Sequence, residues 1–223
     1  SHSNENGIMS ILNSLQSLIE TGGPVLMLLA IVSVISLAVV LFKVWQFRSE
    51  KIGNHAETER ILARWDAGNR QEARSEFEAY DHWLSPSLRL GMDLEAAPGT
   101  RDRLEAIAEK ALLPLEGGFR ILDMISQLAP LLGLFGTVLG MIEAFQALQG
   151  AGDQVDPSIL AGGIWVALLT TAAGLAVAMP TSVALTWLES RIDAERAFAG
   201  HAISVVITPV GKAETRERLA QVG

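Results

Sequence analysis

The sequence predicts an all-α membrane protein with three spanning helices and long charged helical extensions. Three observations carry that prediction. Apolar residues make up 49% of the 223-residue chain, and most are gathered into three long uncharged runs. The charged residues, 19% of the total, lie outside those runs. All 17 Lys and Arg fall in two segments, twelve between residues 43 and 120 and five beyond 189.

Residues 1–8 look unlike the rest of the chain, and Met9-Ser-Ile-Leu-Asn-Ser-Leu15 reads as a natural start. The preceding eight residues are read as an appended or extended terminus outside the fold. Segment 9–46 then holds the first spanning helix. From Pro24 to Phe42 nearly every residue is apolar, and nineteen residues of helix reach about 28 Å, enough for a bilayer core. A signal peptide would need basic residues before the apolar run, whereas the first is Lys43.

Segment 47–120 is polar. Glu57 to Tyr80 has helical periodicity, with Ile61, Leu62, Trp65, Ala73 and Phe77 as its apolar face. Ser85-Pro86 and Gly91 mark residues 81–94 as a turn region, and Pro98-Gly99 breaks the chain again. A further helix starts with Thr100 as cap and meets a kink at Pro114.

Segment 121–148 is the second spanning helix; Met124 to Ile142 carries no charge. Pro130 is expected to kink it, freeing a carbonyl, and Gly133, Gly136 and Gly140 offer a small-residue face for a neighbouring helix. Asp123 and Arg120 at one end are close enough in sequence to pair, and Glu143 at the other end is a hydrated carboxylate or a cation attractor. Residues 149–157 form a short loop. Segment 158–188 is the third spanning helix, with Gly174 as a packing position and Pro180 as a second kink. The run from Pro157 to Leu188 is uncharged over 32 residues, about 48 Å of helix, so it must protrude or tilt. Trp165 and Trp187 suit the two interfaces. Segment 189–223 continues as a polar helix and ends in a frayed tail.

The positive-inside rule applied to these segments puts the N-terminus and the 149–157 loop outside, and the 47–120 segment and the tail in the cytoplasm.

Several chemistries are excluded or disfavoured. A net charge of −8 argues against nucleic acid as a partner. Without cysteine there is no thiolate site or thiol nucleophile. His2, His55, His82 and His201 show no ligand spacing, so no metal site and no cofactor are expected. No carboxylate pair or Ser–His pair falls in a spanning segment, so an enzyme is not expected.

What the spanning segments do carry is hydroxyls: Ser126 and Thr137 in the second, Thr170, Thr171, Thr181, Ser182 and Thr186 in the third. Each hydroxyl either bonds back to its own helix carbonyl or faces a polar path. Thr137, Thr171 and Thr170 are the candidates for such a path. With no titratable group at depth, the ionisable residue of the path would have to come from another subunit.

The stretches Pro130-Leu-Leu-Gly-Leu-Phe-Gly-Thr-Val-Leu-Gly140 and Ala167-Leu-Leu-Thr-Thr-Ala-Ala-Gly-Leu-Ala-Val-Ala-Met-Pro180 resemble the paired signatures of the MotA/TolQ/ExbB proton-channel family, ExbB and TolQ above all. The fourth spanning helix of MotA-like members is absent from the pattern. The resemblance implies a homo-oligomeric ring, a pentamer, around a dimeric ExbD- or TolR-like partner with one spanning helix and an intramembrane aspartate. It further implies coupling to a TonB- or TolA-like protein, in the bacterial inner membrane, driven by proton flow. Thr137 and Thr171 match the family's pore-facing threonines. One departure is visible: many ExbB and TolQ chains have Gly-Ile-x-Glu-Ala-Leu in the third helix, whereas Gly163-Ile-Trp-Val-Ala-Leu168 has Val166 at the acid's position. That leaves open whether the system is of the ExbB or the TolQ kind, and whether protons or sodium ions move.

Overall fold

The computed structural model describes residues 2–94, 97–150 and 156–210, with side chains from residue 23 onward. Among these residues are seven helices: α1 (His2–Ser49), α2 (Ala56–Asp66), α3 (Arg70–Ala79), α4 (Ser85–Asp93), α5 (Thr100–Glu116), α6 (Phe119–Gly150) and α7 (Pro157–Ile207). There is no strand among the described residues. Gly23–Ser49, Phe119–Gly150 and Pro157–Ile207 are each long and apolar enough to cross a membrane. The chain divides into two compact units, Ser1–Leu41 with Gly118–Thr186, and Phe42–Gly117 with Trp187–Gly223.

The first unit is a three-helix assembly of α1, α6 and the first part of α7. Residues 2–8, set aside on sequence grounds, have the same helical backbone as the residues after them. The helix breaks at Gly23 (φ 66°, ψ −159°), a conformation open to glycine, at the position where the following Pro24 disfavours helical backbone. Beyond the break, Val25, Leu26 and Leu29 of α1 are buried with Ala129 of α6 and Ala178 of α7. The α7 entry is an Asp156–Pro157 pair: the Asp156 carboxylate accepts from the Ser158 N–H at 2.9 Å, which holds its carboxyl below the usual range, and Pro157 stands where a helix needs no N–H donor. The predicted loop between α6 and α7 lies mostly outside the described residues, as does the predicted frayed tail from 211.

Large side chains on the outside of this unit are apolar and exposed, among them Val34, Leu37 and Leu41 on α1, Leu131 and Phe135 on α6, and Trp165 and Leu168 on α7. A soluble unit inverts that pattern. Lipid or further protein must cover these faces.

The second unit is built from α2–α5 and the later part of α7. Its core joins Ile61, Leu62 and Trp65 of α2, Ala73 and Phe77 of α3, Leu88 of α4, Leu104 of α5 and Ile203 of α7. The apolar face expected over residues 57–80 is therefore correct in membership, but it is two helices. Gly68 (φ 96°) ends α2 and reverses the chain into α3, so the five residues meet across a hairpin. The expected turn region at 81–94 is also corrected. Ser85-Pro86 opens α4, where proline at the first turn loses no helical hydrogen bond, and Gly91 is buried inside that helix. A Cβ at Gly91 would lie 2.8 Å from Leu104 Cδ1 and 2.9 Å from Val206 Cγ1, so the glycine permits contact rather than a turn. Thr100 is not the cap of α5 either. Gly99 (φ 84°) precedes the helix, and the Thr100 hydroxyl reaches back to accept from the Ala97 N–H.

The helix α5 passes Pro114 and ends two residues later at Glu116. Its last carbonyls, which lack intrahelical partners, are met by Lys43: Nζ donates to Leu115 O at 3.1 Å and Pro114 O at 3.3 Å, and also to Gln46 Oε1 at 2.7 Å. On the solvent side Arg196 of α7 grips α5. Its Nε and Nη2 donate to the two Glu109 oxygens at 2.9 Å each, and Nη2 also to Glu116 at 2.7 Å. Asp123 does not pair with Arg120 among the described contacts; it accepts from Gln127 Nε2 at 2.8 Å.

Candidate functional site: the seam between α6 and α7

Helices come close only where side chains are small, and the seam follows from that. A Cβ built on Gly133 would lie 2.7 Å from Thr170 O and 3.1 Å from Thr171 Cα. One on Gly174 would lie 2.5 Å from Ala129 O and 3.1 Å from Gly133 Cα. At Gly136 the neighbours are Thr170 Cβ and Oγ1, both at 2.8 Å. These contacts are backbone against backbone or against a β-branched side chain, so no side chain larger than hydrogen fits without separating the helices. Gly140 is looser, its nearest atoms at 3.6 Å. A fifth position, Gly163, is as tight as any, since a Cβ there would meet Ala144 Cβ at 2.2 Å.

Gly163, which no expectation named as a packing position, had a signal in the sequence. Gly163, Ala167, Thr170 and Gly174 recur at spacings of four, three and four, and Ala129, Gly133, Gly136, Gly140 and Ala144 form the matching stripe on α6.

The three threonines separate by environment. Thr170 departs from the expectation of a path-lining residue. It is 1% exposed, packed on Gly136, and its hydroxyl donates to Ala167 O at 2.8 Å. Its role is to fill the seam. Thr137, half-buried, one turn from Gly133, donates to Leu134 O at 2.6 Å, which leaves its oxygen lone pairs available as acceptors. Thr171 is half-buried at the rim of the seam, in line with the exposed Leu168 and Leu175, and its hydroxyl forms no hydrogen bond with any described residue. In an apolar medium an unpaired hydroxyl is unfavourable by a few kcal/mol. Thr171 is therefore a hydroxyl whose hydrogen-bonding capacity is unmet among the described residues.

A second polar contact, also missed in the sequence, ties α1 to α7. Ser36 and Thr181, both buried, are 2.6 Å apart through their hydroxyls, and Thr181 also bonds Val177 O at 2.8 Å. Thr181 donates to the carbonyl and Ser36 donates to Thr181, so both oxygens are satisfied. The helices run through Pro130 and Pro180 without interruption; each proline removes one backbone donor. Within this unit the described residues from 23 to 41, 124 to 142 and 157 to 186 include no acid, base or histidine.

The profile of the MotA/TolQ/ExbB proton channel family matches residues 75–198, more than half of the chain and the whole of the seam. The chain belongs to the MotA/TolQ/ExbB family. Individual relatives agree. Biopolymer transport protein exbB1 of Vibrio cholerae is 40% identical over 89 residues, 40% of this chain and 39% of its own length. A putative biopolymer transport protein ExbB homolog of Methanothermobacter thermautotrophicus is 27% identical over 193 residues, 84% of this chain and 67% of its own. The Tol-Pal system protein TolQ of Haemophilus influenzae is 36% identical over 96 residues, 43% of this chain and 42% of its own. The chain thus spans about two-fifths of the length of the exbB1 and TolQ relatives it matches. With three apolar helices of spanning length, this MotA/TolQ/ExbB chain is a membrane protein. Val166, where the Gly-Ile-x-Glu-Ala-Leu pattern has its acid, is half-buried one residue before the seam position Ala167.

Proposed function

We propose that the chain is the ExbB-like ring subunit of an ion-driven motor in a bacterial inner membrane, and that it energises TonB-dependent transport across the outer membrane. It does no covalent chemistry. Several copies, five by the family resemblance, surround a dimeric ExbD-like partner with one spanning helix per copy, and the partner supplies the aspartate that takes up and releases the ion. The Lys/Arg distribution orients the chain with its N-terminus in the periplasm and its second unit in the cytoplasm.

The observation that carries this reading is the combination at the seam. The spanning stretches lack any titratable group, yet Thr171 presents a hydroxyl without a described partner at half-exposed depth. A hydroxyl in that setting can order water or hydrogen-bond a carboxyl brought by another helix, but cannot itself carry a proton through a protonation cycle. The acid must be foreign, and Thr137 and Thr171 are the residues that would receive it.

The test is Thr171→Val, which keeps shape and removes the hydroxyl, in the chain co-expressed with its single-span partner in vesicles. Losing one hydrogen bond on the path, about 1.4 kcal/mol, slows partner-dependent ion flux about tenfold. Unchanged flux sinks the assignment of Thr171. Native mass spectrometry of the gently extracted assembly tests the rest: a ring with a small single-span protein inside supports it, and a bare monomer or dimer across detergents turns the reading to a non-conducting scaffold. The TolQ relative supports a second reading within the same mechanism, with a TolA-like protein receiving the work; deletion in the host separates the two by loss of uptake against loss of envelope integrity.

A further inference from the structure

In the second unit two histidines and a buried carboxylate form a polar centre, and three elements converge on it. Glu195, from α7, is 1% exposed. Its Oε1 accepts the Gly53 N–H at 2.6 Å and lies 3.2 Å from His55 Nε2; its Oε2 accepts Trp83 Nε1–H at 2.9 Å. His55 stands immediately before α2, its ring stacked on Phe198 at 3.9 Å. His82 stands between α3 and α4, 5% exposed, stacked on Tyr80. One ring nitrogen of each histidine and one Glu195 oxygen all lie within 4.8 Å of one another.

Two atoms in this centre are unexplained by the packing. His55 Nδ1 and His82 Nε2 are both buried and have no hydrogen-bond partner among the described residues. A buried, unpartnered ring nitrogen is unfavourable by about 1–3 kcal/mol, and two of them beside one buried carboxylate is a concentration of unmet polar demand. Among the described ion pairs of Glu195, its only cationic partner would be His55.

We propose that His55, His82 and Glu195 form a binding site for one divalent transition-metal ion, with zinc as the ion that fits the ligand set. Two imidazoles and a carboxylate are among the donor sets that zinc takes with an open fourth position for water. Donors about 2 Å from zinc in tetrahedral array sit about 3.4 Å apart, so the 4.8 Å cluster contracts by roughly 1 Å or more, a shift within the reach of side-chain torsions. The surroundings already supply what ligands need around them. Gly53 N–H and Trp83 N–H hold the carboxylate, and Phe198 and Tyr80 hold the ring planes.

Desolvation pushes the His82 imidazole down to about 4, so at neutral pH it is the neutral ligand form. His82 Nδ1 now accepts the Leu84 N–H at 3.3 Å, which puts the ring proton on Nε2. Metal binding at Nε2 moves that proton to Nδ1 and gives up this long hydrogen bond. His55, at 21% side-chain exposure, leaves a route for the ion. A bound ion would pin the segment after α1, the α3–α4 connection and α7 to one another.

The test uses the full chain, stripped with chelator and kept in detergent, with Co²⁺ as the probe and Zn²⁺ as competitor. One Co²⁺ per chain should bind saturably, with the strong visible ligand-field absorption of a low-coordinate site, and Zn²⁺ should displace it. His82→Gln and Glu195→Gln should each weaken binding by about tenfold or more, and His201→Gln, which alters an exposed histidine elsewhere on α7, should leave it unchanged. X-ray absorption of the zinc-loaded wild-type chain should show two imidazoles in the metal's ligand shell, and this does not depend on any variant folding. The proposal is overturned by the absence of saturable Co²⁺ or Zn²⁺ binding, by undiminished affinity in a folded His82→Gln chain, or by a ligand shell without paired imidazoles.

Discussion

Substituting Gly174 by alanine puts a methyl group where Ala129 O now stands 2.5 Å away. Ordinary contact begins near 3.4 Å, so α6 and α7 must part locally by about 0.9 Å, and the obstacle is backbone, which no rotamer change relieves. Two effects oppose each other. Alanine favours helix over glycine by up to about 1 kcal/mol. Overpacking in a close-packed seam costs about 1–3 kcal/mol, and separation also loosens Gly133 against Gly174. Steric cost wins, and Gly174→Ala should destabilise the folded chain by about 1–2 kcal/mol net. The built-in control is Gly162, on the same helix but with nothing within 4 Å of its Cβ position, where alanine should be neutral or stabilising by up to about 1 kcal/mol. Gly140, with neighbours at 3.6 Å, should tolerate alanine nearly as well. The assay is reversible unfolding in mixed micelles, or thermal aggregation of a fluorescent fusion. Equal stability of the Gly174→Ala and Gly162→Ala chains would refute the idea that this seam is set by backbone contact.

Four further outcomes rest on named contacts. A double-mutant cycle of Ser36→Ala and Thr181→Ala should show a coupling of about 0.6 kcal/mol, read in the same unfolding assay, as one interhelical hydroxyl pair is lost in either single variant. Lys43→Met removes the donor to Leu115 O and Pro114 O and leaves buried carbonyls bare; a loss of about 1–3 kcal/mol is expected in the second unit, seen as faster amide exchange at the end of α5. Arg196→Lys keeps the charge but loses the two-pronged grip on Glu109, and should lower stability by less than about 1 kcal/mol because the site is solvent-screened. Arg196 also holds the Glu109 carboxyl below its ordinary value of 4.5, so this pair's contribution is full above that pH and is lost as pH falls through the lowered value; the acid limb of a melting-temperature profile should flatten in Arg196→Gln.

The spanning helices were legible because hydrocarbon imposes one rule along the whole chain: no charge, and every backbone group satisfied within the helix. Residues 24–42, 124–142 and 157–188 carry no charge, and only the prolines within them interrupt the backbone pattern. The second unit follows a weaker rule. Its apolar face was visible as Ile61, Leu62, Trp65, Ala73 and Phe77, but periodicity carries no mark of a hairpin when the two helices happen to continue each other's phase. The three-residue turn at 67–69 separates them, and Gly68 supplies its positive φ. At 85–93 the turn residues misled for a physical reason. Proline and glycine mark turns when they stand exposed, but Pro86 sits in a first turn where its missing N–H is harmless, and Gly91 sits under Leu104 where any side chain would collide.

The polar centre shows the limit of reading ligands by spacing. His55, His82 and Glu195 are separated by 27 and 113 residues, and no motif joins them. The same blindness hid the Ser36–Thr181 pair, 145 residues apart. In both cases local sequence could signal need but not supply. A serine in a spanning run, or a glutamate between Ala194 and Arg196 on a helix otherwise packed into apolar core, must find a partner because burial without one is costly. Which partner it finds is decided by topology. Thr171 is the hydroxyl in the seam for which that demand is still open after the described chain has been folded. By the logic that brings Ser36 to Thr181, a hydroxyl left open among the described residues is where a partner would dock, and in the function proposed above that partner is a carboxyl on another chain's spanning helix.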